Sequence, residues 1–113
     1  MHEYSIVSAL MERVEAEARA HGATDVRRIR VTIGELSGVE PELLATAFET
    51  FRDGTLCANT KLEIERIEAG WVCPQCGVKI PRGEVLTCGT CHVPAKLQGG
   101  DEIILERIEM EVA

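Results

Sequence analysis

The sequence is poor in aromatic residues. Only four of its 113 residues are Phe, Tyr or Trp, so large buried rings contribute less to its core than usual. Positive charge is also short: 12 Lys and Arg face 19 Asp and Glu, a formal net charge of −7. That balance works against any general attraction to nucleic acid or anionic lipid. No apolar run approaches the roughly 18 to 20 residues of a membrane helix, and no basic-then-apolar leader opens the chain. A cytoplasmic protein with no membrane or nucleic-acid partner is therefore expected. At this length a single domain buries only about two thirds of its unfolded surface, and a second stabilising device would fit.

Cysteine is what the sequence does contain. Five of them in a reducing compartment argue for metal or redox chemistry over a disulfide scaffold. Cys73 and Cys76 in CPQC, with Cys88 and Cys91 in CGTC, give the spacing C-x2-C-x11-C-x2-C. Two such pairs can set four thiolates at the corners of a tetrahedron, the geometry Zn(II) accepts with sulfur at about 2.3 Å. Gly77 lets the chain fold back beneath the metal. Structural Zn(II) is the expectation; a redox dithiol, an iron–sulfur cluster and, through Cys91-His92, a haem attachment are the competing readings. A closed four-thiolate site has no open position, and neither a nucleophile–base set nor a phosphate loop is evident, so no enzyme is expected. The alternative function is a zinc-ribbon regulator that binds nucleic acid or polymerase. The acidic charge opposes it, as does a module whose only basic residues are Lys79, Arg82 and Lys96.

Periodicity supplies the frame around these cysteines. Ile6, Val7, Leu10, Met11, Val14 and Ala18 recur at three- and four-residue steps, predicting an amphipathic helix from Tyr4 to Ala20 that ends before Gly22. RRIRVTIGEL alternates Ile29, Val31 and Ile33 with Arg30 and Thr32, the pattern of a strand buried on one face. Pro41 suits the first turn of a second helix, which runs to Arg52 with Leu44, Ala47, Phe48 and Phe51 on one stripe. LEIERIEA (62–69) and IILERIEM (103–110) both read as strands, each with a bulge, because Leu62 and Ile64 fall out of phase with Ile67. Between them, residues 70–100 are richer in Cys, Gly and Pro and read as an inserted zinc-binding module. Residues 1–69 with 101–113 form the main domain. Cys57, outside the cysteine pattern, reads as a small buried or half-buried thiol near the end of the second helix.

The chain opens MHE. A free Met1 amine, the His2 amide nitrogen once deprotonated, and the His2 imidazole can close adjacent chelate rings on one ion. The amide nitrogen or carboxylate of Glu3 can complete four positions. Such a planar, nitrogen-rich set suits Ni(II) or Cu(II). A disordered chain end is the competing reading. Against it stands the helix expected from about Tyr4 or Ser5, which holds residues 1–3 near a folded element.

MHEYSIVSAL, IGELSGVEPE, the two C-x-x-C pairs and GDEIILERIEMEV together resemble the HypA/HybF hydrogenase maturation proteins, which are nickel metallochaperones. The resemblance implies an α+β fold of two helices on a three-stranded sheet with a four-cysteine, zinc-ribbon-like insertion, in agreement with the element count. It implies nickel binding by His2, with Glu3 and the Met1 amine, and zinc binding by Cys73, Cys76, Cys88 and Cys91. The implied role is delivery of Ni(II) for [NiFe] hydrogenase maturation, with Zn(II) structural. The implied partners are a nickel-handling GTPase and the hydrogenase large subunit; a homodimer is compatible with this reading. One departure is visible. In the family the second pair often contains proline and is followed by glycine, where this chain has Gly89 and His92.

Overall fold

The computed structural model describes residues 2–112, the side chain of His2 excepted. The elements are α1 (His2–Ala20), β1 (Ala23–Gly34), α2 (Pro41–Phe51), β2 (Lys61–Ile67), β3 (Gly70–Val72), β4 (Lys96–Gln98) and β5 (Ile103–Val112). The fold is α+β, as expected. α1 begins at His2, two residues before the apolar pattern suggests. Periodicity marks only the buried part of a helix, whereas an acidic Glu3 in the first turn favours extension toward the N-terminus through the helix dipole.

β1 is the centre of a three-stranded sheet in the order β2-β1-β5. It pairs parallel to β2 and antiparallel to β5. A parallel neighbour requires a crossover, and α2 supplies it. β1 also starts earlier than its alternation suggests, because bulges break the period. Val26 and Ile29 are both fully buried although three residues apart, and the register with β5 slips between Val26 and Arg28. That slip puts one extra residue on β1 and returns Ile29 to the inner face. A further slip between Arg30 and Val31 leaves Glu106 as the extra residue on β5, the bulge expected in 103–110. The bulge expected in 62–69 is absent: Lys61–Ile67 pair with Arg28–Gly34 in unbroken register. Ile67 ends β2 and is exposed, so its phase reflects no packing.

One sheet face carries the core. Val26, Ile29, Val31 and Ile33 pack under Val7, Met11, Val14 and Ala18 of α1 and Leu44, Ala47 and Phe48 of α2. Each fully buried Val, Ile, Leu or Phe of this cluster stabilises by about 1.5–3 kcal/mol. Cys57 joins this cluster with no exposed surface. Phe51, expected on the buried stripe of α2, is 42% exposed. It ends the helix and instead meets the Tyr4 ring edge-on, centroids 5.5 Å apart. The other sheet face is charged: Arg28 reaches Glu63 at 3.8 Å and Glu109 at 3.7 Å, and Arg30 pairs with Glu65. Exposed pairs of this sort contribute about 0–1 kcal/mol each, so the helix-covered face decides stability.

The insertion has its own two-stranded sheet, with Trp71 opposite Leu97, and its own small apolar cluster of Cys73, Ile80 and Cys88 packed by Trp71, Val93 and Ala95. The Cα radius of gyration is 18.2 Å and the long axis 58 Å, against the radius of about 13 Å for a compact chain of this size. The insertion therefore projects from the main core. Its two connectors meet at the end of β1, where the Gly34 amide donates to the Glu102 carbonyl at 2.7 Å, Glu35 to Ile67 at 2.8 Å and Leu36 to Gly100 at 2.6 Å.

Gly100 has φ +86°, and a β-carbon there would strike the Ala69 backbone, its nitrogen at 2.7 Å. Gly22 has φ +67° with open space around it. Gly22→Ala should thus cost only the left-handed backbone term, about 1–2 kcal/mol. Gly100→Ala adds overpacking of about 1–3 kcal/mol. Urea denaturation should show the larger loss at Gly100; equal losses would contradict the packing argument.

Candidate metal centres

The two C-x-x-C pairs fold into matching turns. The Gly77 amide donates to the Cys73 carbonyl at 2.9 Å, and His92 to Cys88 at 3.0 Å. The Cys73 amide in turn donates to Val78 at 2.9 Å, and Cys88 to Val93 at 3.0 Å. Inside each turn backbone amides point at sulfur: Gln75 and Cys76 donate to the Cys73 sulfur at 3.4 Å, and Cys91 donates to the Cys88 sulfur at 3.3 Å. Both turns close through a left-handed residue, Gly77 at φ +76° and His92 at φ +55°. The histidine that departs from the family pattern therefore keeps the turn, at the backbone cost of a side chain in that region.

All four sulfurs lie within 4.8 Å of one another. A tetrahedron with metal–sulfur bonds of about 2.3 Å has edges of about 3.8 Å, and Cys76 and Cys88 stand 3.8 Å apart. Titration points the same way. The Cys73 thiol falls to about 6, first because the Cys76 amide donates to its sulfur. The Cys91 thiol is pushed up to about 12, first by its contact with Cys73 and then by Cys76. The Cys73 thiolate forms easily and then opposes ionisation of Cys76 and Cys91, an opposition that a cation among the sulfurs relieves. Cys73 and Cys88 are buried while Cys76 is exposed, which gives an ion a route in. Burial pushes the Cys57 thiol up, and it stays protonated in the main core, apart from this cluster.

The second candidate centre is the chain start. Met1 and the His2 side chain lie outside the described residues. Glu3 is described, and its carboxylate accepts from the Glu40 amide at 3.4 Å. Glu40 is the N-cap of α2 and makes no side-chain cap of its own; Glu3 accepts from the Glu40 amide instead and sets the start of α1 beside the start of α2. No sequence signal marks this contact, because it joins residues 37 positions apart.

A third cluster is not legible as a site in the sequence. Arg82, between the two cysteine pairs, forks onto both oxygens of Glu35 at 2.6 Å and donates to the Ala69 carbonyl at 3.0 Å. Glu35 also accepts from the Ala69 amide at 2.9 Å. The Arg82 guanidinium holds the Glu35 carboxyl at about 2, well below its ordinary value of 4.5. Since the folded value is the lower one, the stabilisation is present above pH 4.5 and is lost as pH falls toward 2.

A family model described as "Hydrogenase/urease nickel incorporation, metallochaperone, hypA" matches residues 1–110. The hydrogenase maturation factor HypA of Wolinella succinogenes is 43% identical, over 98% of this chain and 96% of its own. That of Shewanella oneidensis is 41% identical, over 100% and 98%. Among solved structures, a solution structure of HypA protein superposes with a TM-score of 0.81 at 32% identity, covering 100% of this chain and 98% of its own. The solution structure of the Ni metallochaperone HypA from Helicobacter pylori gives 0.71 at 31% identity, covering 98% of each.

Replacing any one of Cys73, Cys76, Cys88 or Cys91 by Ser should abolish stoichiometric tight binding of a thiophilic cation, read by metal analysis after dialysis. Cys57→Ala should leave the metal content unchanged and lower stability through a small core cavity, by about 1 kcal/mol. Metal retained by two or more of the four Ser variants would count against the cluster.

Proposed function

The chain belongs to the HypA family of hydrogenase and urease nickel-incorporation metallochaperones, and on that premise we propose that it carries Ni(II) at its N-terminus for [NiFe] hydrogenase maturation. The ligands are the Met1 amine, the amide nitrogen and imidazole of His2, and Glu3. The observation that carries this reading is that α1 starts at His2. The first four amides of a helix have no intrahelical acceptor, so the nitrogens of His2 and Glu3 can bind a metal without breaking a helix hydrogen bond. The Glu3 carboxylate is engaged at Glu40, which supports the backbone nitrogen of Glu3 as its donor. A cation at a helix N-terminus meets an adverse dipole worth about 0.3–1 kcal/mol. Micromolar binding is worth about 8 kcal/mol, so chelation outweighs the dipole.

Residues 1–69 with 101–113 form the nickel-binding domain of this proposal, and residues 70–100 the zinc-binding module. Cys73, Cys76, Cys88 and Cys91 hold Zn(II), which neutralises the thiolates and supplies folding free energy to a segment with few apolar residues. With four sulfur ligands the ion has no open position. The module acts as a docking surface for the nickel-handling GTPase and the hydrogenase large subunit. The polymerase-binding alternative is weaker because Arg82, one of three basic residues of the module, is committed to Glu35.

Nickel titration of zinc-loaded protein with Met1 as the free first residue should give one high-affinity site. His2→Ala should lose it, and so should a version extended by a few residues before Met1. Unchanged binding in both variants would end the terminal-chelate reading. Lowering the pH from 8 to 5.5 should also weaken binding, because imidazoles and terminal amines ordinarily protonate near ~6.5 and ~8 and a protonated donor cannot coordinate. Affinity constant over that range would contradict the proposed ligand set.

A further inference from the structure

The four-cysteine module hangs from the main sheet by two short connectors, and both are tied to the end of β1. Backbone bonds account for the tie at the connectors themselves: Glu35 to Ile67 and Leu36 to Gly100. They hold only the base of the module: among the described residues, β3 and β4 make no strand pairing with the main sheet. One side chain reaches across. Among the described residues, Arg82 and Glu35 form the only ion pair between the segment 70–100 and the rest of the chain.

We propose that Glu35 is a positioning residue, and that its two-pronged bond to Arg82 fixes the orientation of the cysteine module relative to the sheet that carries the chain start. Geometry supports this beyond mere contact. Arg82 donates to both oxygens of Glu35 and also to the Ala69 carbonyl on the first connector, while the Ala69 amide donates back to Glu35. Four hydrogen bonds thus join three segments: the end of β1, the connector before β3 and the loop between the cysteine pairs. A planar fork on a carboxylate restricts direction as well as distance, which a lysine in the same place would not do. The second connector is locked from the other side, where Gly100 lies against Ala69 too closely for any β-carbon. Pivoting at the base is limited by that packing; swinging of the body is limited by Arg82.

The inference rests on the zinc reading in one respect only: Arg82 lies between Cys76 and Cys88, so its place depends on the module being folded by its cation. Carriers that present a metal and a docking surface to the same partner gain from a fixed relation between the two, because the partner then orders neither on binding.

Residual dipolar couplings on isotopically labelled full-length protein test the latch. In the wild-type chain one alignment tensor should fit the amides of both the main sheet and the module. Arg82→Met should lose that common tensor and require two, with zinc content unchanged and dispersed amide spectra showing that both the main sheet and the module remain folded. Glu35→Gln, which keeps an acceptor for the Ala69 amide, should show the same loss, and Arg82→Lys an intermediate one. Two tensors in the wild type, or one tensor retained in both Arg82→Met and Glu35→Gln, would overturn the proposal. A wild-type protein that holds another cation in place of zinc, yet loses its common tensor on Arg82→Met, would overturn the zinc reading and leave the latch standing.

Discussion

The pairing of β1 on both of its edges is the constraint on which everything else depends. Its inner residues supply the floor for both helices, and its partners on either side are the strands that lead into and out of the inserted module. Because β2 ends at Ile67 and β5 begins at Ile103, the two connectors emerge beside the same end of β1. Gly34, Glu35 and Leu36 then satisfy their amides on residues of β2 and of the returning connector. An amide left unpaired at such a junction would cost about 1–3 kcal/mol. Glycine is needed there at two positions for a steric reason: a β-carbon at Gly34 would strike the Gly100 backbone, and one at Gly100 the Ala69 backbone.

The same strand governs where the chain start can go. α1 is held by Val7, Met11, Val14 and Ala18 against the β1 floor, spaced so that all four lie on one face. Continuing the helix back from Val7 brings Glu3 to the first turn of α2, where its carboxylate meets the Glu40 amide. The position of Glu3 and of the His2 backbone is thus inherited from core packing, with a local contact adding direction. Fixing these two residues lowers the entropy cost of the proposed chelation.

Much of this is legible in the sequence, for identifiable reasons. The four cysteines declare themselves because C-x-x-C turns are local, and a tetrahedral ion explains their type and spacing together. Ile29, Val31 and Ile33 declare the central strand because its inner face is buried while Arg30 and Thr32 alternate with them. Legibility fails where packing is non-local or irregular. Val26 looks out of phase until a bulge is allowed, and Phe51 fits the stripe of α2 but sits past the end of the core. The pairing of Glu35 with Arg82 spans 47 positions and has no periodic signature. From the sequence, Arg82 is simply one of three cations on the module. Only a connector hint remains: a carboxylate directly after a strand, between two glycines in GELSG, is an unusual place for a long acidic side chain unless something binds it.

The distribution of charge explains why that carboxylate matters in a chain already rich in acid. Most of its acidic residues stand on the solvent face of the sheet or on helix surfaces, where opposite charges lie nearby and each pair contributes little. Glu35 differs in how many donors converge on it. Two guanidinium nitrogens and one backbone amide hold it, and its carboxyl is held ionised down to about pH 2. An ionised group with its acceptor sites occupied by fixed donors cannot rotate without breaking several bonds together, so it behaves as a joint with one setting. That distinguishes it from Arg28, whose contacts to Glu63 and Glu109 at 3.8 and 3.7 Å are long enough for water or salt to replace either. The sheet face tolerates such exchange because its strands are already registered by backbone bonds. Among the described residues the module has no such backbone registration beyond its base, and the orientation of the cysteine cluster is left to one arginine.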